Sequence, residues 1–434
     1  MVRIMEYRDA LEYLKTTKSI GIMLGLDRVK RLLDILGNPQ DRLKIIHVAG
    51  TNGKGSVCNM TASVLTEAGY RTGLFTSPMV FDFKEQFVVD GKVIDENMVV
   101  RLVEEISAAV DQMEDMPTEF EMLTAMAFLY FKKMNCEFAV IEVGMGGLED
   151  ATNIINKPEI AVIVNIDYDH MNFLGNDLLE IAEKKAGIIK PGCRVVVADQ
   201  NREVLELIRK ICIQKDASIN ISDNRCIKIK NLSLDGTMFD YKEYIDIGLS
   251  LIGKHQTQNA AIVLEILTVL RNNGYEISDN AIRDALSKVH LPGRFDVISK
   301  EPLFIVDGSH NPHGIKALTN NLNNYLSGKK LNFITGILGD KDYSQMISET
   351  IPFAECYIVT EPDNPRALSA SECAEAIRRS GFEGEIIIPD NGEDGVRIAL
   401  NISKNNKKGI CVFGSLYNVH KIMVSAKDIL QVNI

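Results

Sequence analysis

Residues 43–68 constrain this chain more than any other stretch. Residues 43–49 (LKIIHVA) read as a strand buried on both faces, residues 50–56 (GTNGKGS) as a glycine-rich turn, and residues 57–68 as a helix. In a strand–turn–helix of this kind, successive backbone N–H groups and the positive end of a helix face one point, so phosphate oxygens can be wrapped there. Lys54 can reach terminal phosphates and the Ser56 hydroxyl can face Mg²⁺. The loop departs from the usual G-x-x-x-x-G-K-[ST] pattern. Val48 occupies the first glycine's place, and Gly55 separates Lys54 from Ser56.

The pattern around this unit is alternating. Short apolar runs at 73–76, 138–143, 160–166 and 194–198 lie between amphipathic helical stretches at 95–110, 120–133, 178–189 and 202–215. That alternation predicts a mainly parallel sheet. Residues 226–252, around Asp235-Gly236, read as a small antiparallel excursion. Helices follow at 259–272 and 279–288, then residues 291–295 (LPGRF) break the pattern as a linker. A second alternation has strands near 303–306, 332–337, 356–360, 385–388 and 409–413. The fold class is therefore α/β: an N-terminal P-loop-type domain over 1–295 and a C-terminal Rossmann-like α/β domain over 296–434.

Composition excludes other classes. The 48 Lys+Arg against 59 Asp+Glu give a net charge of −11, so the electrostatic footprint of a nucleic-acid binder is missing. No signal-peptide core and no apolar run of membrane-spanning length is present. The eight cysteines are scattered without zinc or redox spacing, which predicts reduced thiols and a cytoplasmic protein.

Further candidates sit at strand ends, where open α/β sheets bind ligands. Glu142 opens residues 142–147 (EVGMGG), a position suited to Mg²⁺ beside a nucleotide, although a glycine loop after a strand is more often a plain turn. Asp150 and Asn153 (DATN), Ser77-Pro78, and Asp169-His170 are turn residues that could equally ligate. Lys185 lies in a helix, where lysines are usually solvated. In the second domain, residues 307–312 (DGSHNP) place Asp307 and His310 at a strand's end, and Pro312 suits a helix start. Arg294 in the linker could reach either domain, and Arg366 could take a carboxylate.

Together these motifs resemble the folylpolyglutamate synthase/dihydrofolate synthase family of the Mur-ligase superfamily. They are GTNGKGS at 50–56, Ser77-Pro78, Phe120-Glu121, EVGMGG at 142–147, DATN at 150–153, Asp169-His170, Lys185-Ala-Gly-Ile188, Asn259-Ala-Ala261, Pro292-Gly-Arg294 and DGSHNP at 307–312, in family order. Residues 19–29 also resemble the segment that leads into the family's first domain. The resemblance implies an ATP-dependent ligase that adds L-glutamate to dihydropteroate or to folate polyglutamates through an acyl phosphate. The short stretch before the phosphate loop leaves no room for the extra UDP-substrate domain of cell-wall ligases.

The resemblance also implies roles. Thr51, Asn52, Gly53, Lys54, Gly55, Ser56, Asn259, Arg294 and Asp307 hold the nucleotide, and His310 lies near the γ-phosphate. Ser77, Glu142, His170 and a carbamylated Lys185 hold a pair of Mg²⁺ ions, with a monovalent cation in addition. Leu24, Phe120, Glu121, Asp150 and Ala151, with Thr118 and Thr152, form the pterin side, while Arg366 and Ser415 receive glutamate. The expected partners are small molecules alone, bound by a monomer. Departures fall at Met79, Gln86, Leu148-Glu149 and Lys184, and they touch the substrate side rather than the phosphate side. A Mur-type ligase for another carboxylate and an ATP-binding regulator without catalysis are the competing readings.

Overall fold

The computed structural model describes residues 5–17, 21, 23–79, 82–168 and 171–431, and it divides into two compact units. The first comprises Met1–Lys228, Phe239–Ile247 and Thr257–Val289; the second comprises Ile229–Met238, Gly248–Gln256 and His290–Ile434.

Eight strands of the first unit form one sheet: β1 (Lys44–Ala49), β2 (Thr72–Phe75), β3 (Phe87–Val89), β4 (Lys92–Val93), β5 (Phe138–Glu142), β6 (Ile160–Ile163), β7 (Arg194–Val197) and β8 (Ser218–Ile221). Their spatial order is β4-β3-β2-β5-β1-β6-β7-β8. All neighbours from β2 across to β8 run parallel, and β3 and β4 add an antiparallel edge. β1 lies between β5 and β6, where the order of winding reverses. A crevice opens at such a switch point, outside the carboxyl ends of the strands. β1, β5 and β6 are buried almost throughout, which is why their sequences run apolar instead of alternating.

The helix Lys54–Glu67 follows β1. It buries Val57, Met60, Val64 and Leu65 against β2, β5 and the helix Asp279–Lys288. Each such side chain contributes roughly 1.5–3 kcal/mol. Its N-cap, Gly53, supplies no side-chain cap, a deficit of only a few tenths of a kcal/mol relative to a capping residue. Packing therefore holds the helix, and its first N–H groups stay open to a ligand at little cost.

Three consecutive strands, β9 (Ile227–Ser233), β10 (Gly236–Tyr241) and β11 (Tyr244–Leu249), form the small second sheet. Their two-residue connections make them antiparallel. The second unit's sheet holds β12 (Asp296–Lys300), β13 (Leu303–Val306), β14 (Leu331–Thr335), β15 (Ala354–Val359), β16 (Glu385–Ile387) and β17 (Ile410–Phe413), ordered β12-β13-β17-β14-β15-β16. It is parallel except for β12. Its core is built from Phe333, Tyr357, Phe413 and the aliphatic faces of the covering helices.

All eight cysteines carry free thiols. Among the described residues, no helix is long and apolar enough to cross a membrane.

Candidate active site

At the carboxyl end of β1 the chain turns through Gly50 (φ 150°) and Gly53 (φ 95°). A Cβ on Gly50 would lie 2.2 Å from Val164 Cγ2, and one on Gly53 would lie 2.4 Å from Asn259 Oδ1. Both positions thus exclude a side chain by close approach as well as by backbone conformation. The loop is pinned to the end of β6: the Thr51 N–H donates to Asn165 O (2.8 Å), and the Asp167 N–H donates to Thr51 Oγ1 (3.0 Å). Lys54 Nζ folds back over the loop and donates to Gly50 O (3.2 Å) and Thr51 O (3.4 Å).

Groups from two other strand ends and from a helix gather at this loop. Glu142, the last residue of β5, is buried; its carboxylate accepts from the Ser77 N–H (3.2 Å) and would lie 3.6 Å from a Cβ on Gly55. Lys185, only 2% exposed, sends Nζ to Gly50 O at 2.8 Å. It comes from the helix Leu178–Ala186, which Gly147 allows to approach, since a Cβ there would meet Lys185 O at 2.7 Å. Cys58, buried in the phosphate-loop helix, has its thiol pushed well above the usual range by burial and then by the charge of Glu142. His170, expected here as a metal ligand, lies outside the described residues. Among the described residues, no three His, Cys, Asp or Glu side chains gather as a metal site.

On the expected substrate side, Phe120 packs on the backbone of Gly144; a Cβ there would fall 2.5 Å from Phe120 Cζ. The glycine of EVGMGG thus admits an aromatic face beside the strand end. Glu121 has a second task. With Thr118 it forms the capping box of the helix Glu119–Lys133, and its Oε2 also meets Arg28 Nε at 3.1 Å. Its Oε1 is buried and has no hydrogen-bond partner among the described residues. Leu24 is exposed, on the stretch that Arg28 holds by donating to Met23 O. Asp150 accepts from the Met145 N–H and from the Thr152 N–H and hydroxyl, and burial nevertheless holds its carboxyl above the usual range. Ala151 is buried beside it.

In the second unit, Asp307 follows β13 and organises the turn. It accepts from the N–H of Phe295 (2.9 Å) and of Ser309 (2.8 Å) and from the Ser309 hydroxyl. The Gly308 N–H donates to Gly293 O (2.7 Å), so the residues around Arg294 are tied to the DGSHNP turn. His310 donates from Nδ1 to Gly308 O at 2.8 Å, which leaves Nε2 as the acceptor nitrogen. Its pKa is lowered, chiefly by burial and then by the nearby Arg294 and Lys341 charges, against the opposing bond to Gly308. Arg294, Asp307 and His310 are therefore one cluster.

The Mur ligase middle domain family matches residues 48–267, and the Mur ligase glutamate ligase domain family matches residues 293–416. The chain is 35% identical over 427 residues to a dihydrofolate synthase/folylpolyglutamate synthase of Bacillus subtilis, covering 96% of this chain and 98% of that relative. The chain belongs to the folylpolyglutamate synthase/dihydrofolate synthase family of Mur ligases. Among solved structures, the Mycobacterium tuberculosis folylpolyglutamate synthase complexed with ADP and AMPPCP is similar over 99% of this chain and all of that one (TM-score 0.86, 30% identity). An Escherichia coli chain in complex with DHPP and ADP is similar over 98% and 99% (TM-score 0.83, 28% identity).

Within this Mur-ligase fold, Arg366 forms a surface pair with Asp340 (2.7 Å). Ser415 stands at the N-cap of the helix Leu416–Leu430 without capping it, and its buried hydroxyl has no hydrogen-bond partner among the described residues. Among the described residues, Thr335 at the end of β14 likewise has no partner for its buried hydroxyl, which lies 2.9 Å from where a Cβ on Gly414 would sit. Thr335 is missing from the sequence expectations because it ends an ordinary apolar strand. His47 is missing as well: it is hidden inside LKIIHVA, where a histidine reads as core.

Proposed function

We propose that this chain is an ATP-dependent ligase that joins L-glutamate to dihydropteroate and to folate polyglutamates. The observation that carries this reading is the phosphate loop at the switch point of the sheet, with Lys54, Glu142 and Lys185 gathered on it. A carboxylate does not acylate an amine in water at neutral pH. Transfer of the γ-phosphoryl group from ATP to the folate-side carboxylate makes an acyl phosphate. The glutamate amine then attacks the acyl carbon, the new C–N bond forms, and the C–O bond to phosphate breaks. Phosphoryl transfer depends on positioning and on charge neutralisation. Here Lys54 and the open N–H groups of residues 53–56 provide both, with Asn259 packed against Gly53.

Ser77 and Glu142, with His170 and a carbamylated Lys185, would hold Mg²⁺; hard oxygen donors beside a phosphate cradle suit that metal. When bound, Mg²⁺ neutralises phosphate charge. Carbamylation turns the buried Lys185 head group from a cation into an anion: the neutral amine attacks CO₂ and a proton leaves. A bare ammonium beside a divalent ion would repel it by about 8 kcal/mol at 4 Å and an effective dielectric of 20, twice the value for a unit pair. A monovalent cation belongs to the same reading.

His310, neutral at physiological pH because burial lowers its pKa, presents Nε2 to take a proton from the glutamate ammonium. Arg294 beside it adds positive charge for phosphate. The unpartnered hydroxyls of Ser415 and Thr335 are assigned to the glutamate. Arg366 can exchange its exposed Asp340 partner for a ligand carboxylate, since such surface pairs contribute about 0–1 kcal/mol. On the pterin side, Phe120 offers an aromatic face, and the exposed Leu24, Met79, Leu148 and Tyr168 supply apolar surface. The free thiols and acidic surface suit a monomeric cytoplasmic enzyme.

The test is phosphate release with and without L-glutamate, using dihydropteroate, a tetrahydrofolate and a UDP-muramoyl acceptor in turn. Glutamate-dependent release with the first two is expected. Release with the UDP-muramoyl compound alone would assign the chain to a different carboxylate.

A further inference from the structure

His47 is fully buried on β1, three residues before the phosphate loop, between Ile141 of β5 and Ala161 of β6. A histidine at the centre of a parallel sheet is expensive unless its ring is hydrogen-bonded. Its Nε2 lies 2.8 Å from Thr152 Oγ1, which lies 2.5 Å from Asp150 Oδ1. Asp150 also takes the N–H of Thr152 at Oδ1 and the N–H of Met145 at Oδ2. Both carboxyl oxygens already accept a backbone N–H, and the Thr152 hydroxyl donates to Oδ1. The Thr152 oxygen must then accept from His47, which fixes the ring as the Nε2–H tautomer. The other nitrogen, Nδ1, has no partner among the described residues, as expected for a lone pair facing apolar surroundings. All three side chains are at most 6% exposed.

The direction of this chain matters. It starts on the strand that carries the phosphate loop and ends on the turn and loop assigned to the folate side. From the same turn, Asn153 donates to Leu148 O (2.9 Å) and Gly187 O (3.3 Å), and its own carbonyl accepts from Lys190 Nζ (3.2 Å). The 150–153 turn thus joins β1, the EVGMGG loop and the end of the Lys185 helix. We infer that His47, acting through Thr152, is a positioning residue that sets the folate-side loops at a fixed distance from the phosphate loop. In-line transfer tolerates little error in that distance, and a misplacement of about 1 Å can cost 10²-fold in rate. A core histidine with no such task could be replaced by leucine at a gain in apolar burial.

This inference rests on the proposed ligase reading, and its failure is distinguishable from failure of that reading. If the wild-type protein forms no glutamate adduct, the reading fails whatever the variants do. With an active wild type, the decisive pair is Thr152→Val, which keeps shape and removes the hydroxyl, and Thr152→Ser, which keeps the hydroxyl. We expect Thr152→Val to raise KM for the pteroate or folate substrate at least 10-fold and to lower kcat, while Kd for an ATP analogue changes less than 2-fold. Thr152→Ser, which keeps the hydroxyl, should lose less than Thr152→Val in folate KM and in kcat. His47→Gln, which retains an N–H at similar reach, should be milder than His47→Leu in folate KM. If Thr152→Val does not fold, the His47→Gln and His47→Leu comparison decides alone. Equal loss of ATP and folate binding, unchanged folate KM in Thr152→Val, or identical behaviour of His47→Gln and His47→Leu would overturn the inference.

Discussion

Lys54 rests on the carbonyls of Gly50 and Thr51, so its charge is held at the proposed phosphate site without a carboxylate competing for it at those two contacts. Lys54→Ala removes that charge from a position where it makes only two backbone contacts. Turnover should fall about 10²–10³-fold, the usual loss for one transition-state charge contact, while the melting temperature stays within a few degrees; wild-type kcat/KM for ATP would refute the assignment. Lys185 differs in being buried. Lys185→Ala should be nearly inactive and partly restored by acetate or formate, which substitute for the carbamate's oxygens. Full activity without rescue would remove the carbamate from the account. His47 gives a stability prediction. Burial lowers its folded pKa to about 3 from 6.5, so the unfolded chain binds the extra proton between those values. Its contribution is complete above pH 6.5 and is lost as pH falls toward 3, with a slope of about 1.4 kcal/mol per pH unit. Urea midpoints from pH 7 to pH 4 should therefore decline less steeply in His47→Gln than in the wild type.

At the level of elements, the junction of β1 with the helix Lys54–Glu67 is the least forgiving. Gly53→Ala places a Cβ 2.4 Å from Asn259 Oδ1 at a φ of 95°, where the left-handed backbone alone costs about 1–2 kcal/mol. ATP-analogue binding measured by calorimetry should drop at least 10-fold; unchanged affinity would mean that the loop does not hold the phosphates. This junction was legible in the sequence because glycines, a lysine and a helix start each have a local signature. So were the strands whose two buried faces make them continuously apolar, and the helix Asp279–Lys288. The hairpin of β3 and β4 has no counterpart in the sequence pattern, although Asp90-Gly91 is a turn signal and both residues have positive φ. Its strands are three and two residues long, too short to show a period. β12 has no counterpart in the sequence, where the pattern break at 291–295 is followed by a strand only near 303–306; in the structure Phe295 and Gly293 are anchored by Asp307 and Gly308. The roles of Asp150 and Glu121 were only half visible. Sequence suggests ligand contact, whereas the coordinates add an Asx turn and a capping box that no spacing rule separates from binding. His47 and Thr335 left no signal, since partners more than a hundred residues away, or a missing partner, define them.

The molecule carries a glycine-rich loop with a carboxylate and a buried lysine in its first unit, and an Arg–Asp–His cluster in its second. The net charge of −11 means that anionic ATP, folate and glutamate are held against the average field, so binding should rest on local cationic groups. Raising ionic strength from about 0.05 to 0.2 M should therefore change the KM values only modestly, because buried contacts are screened little. Glutamate ligation through an activated carboxylate moves a substrate oxygen to phosphate. It is tested most directly by incubating the purified protein with ATP, Mg²⁺, L-glutamate and carboxyl-¹⁸O-labelled dihydropteroate, then analysing the products by mass spectrometry. The expected product is one glutamyl residue heavier, with one ¹⁸O transferred to the released phosphate. A glutamyl product with phosphate free of ¹⁸O, or ATP consumed without any glutamyl product, would contradict it.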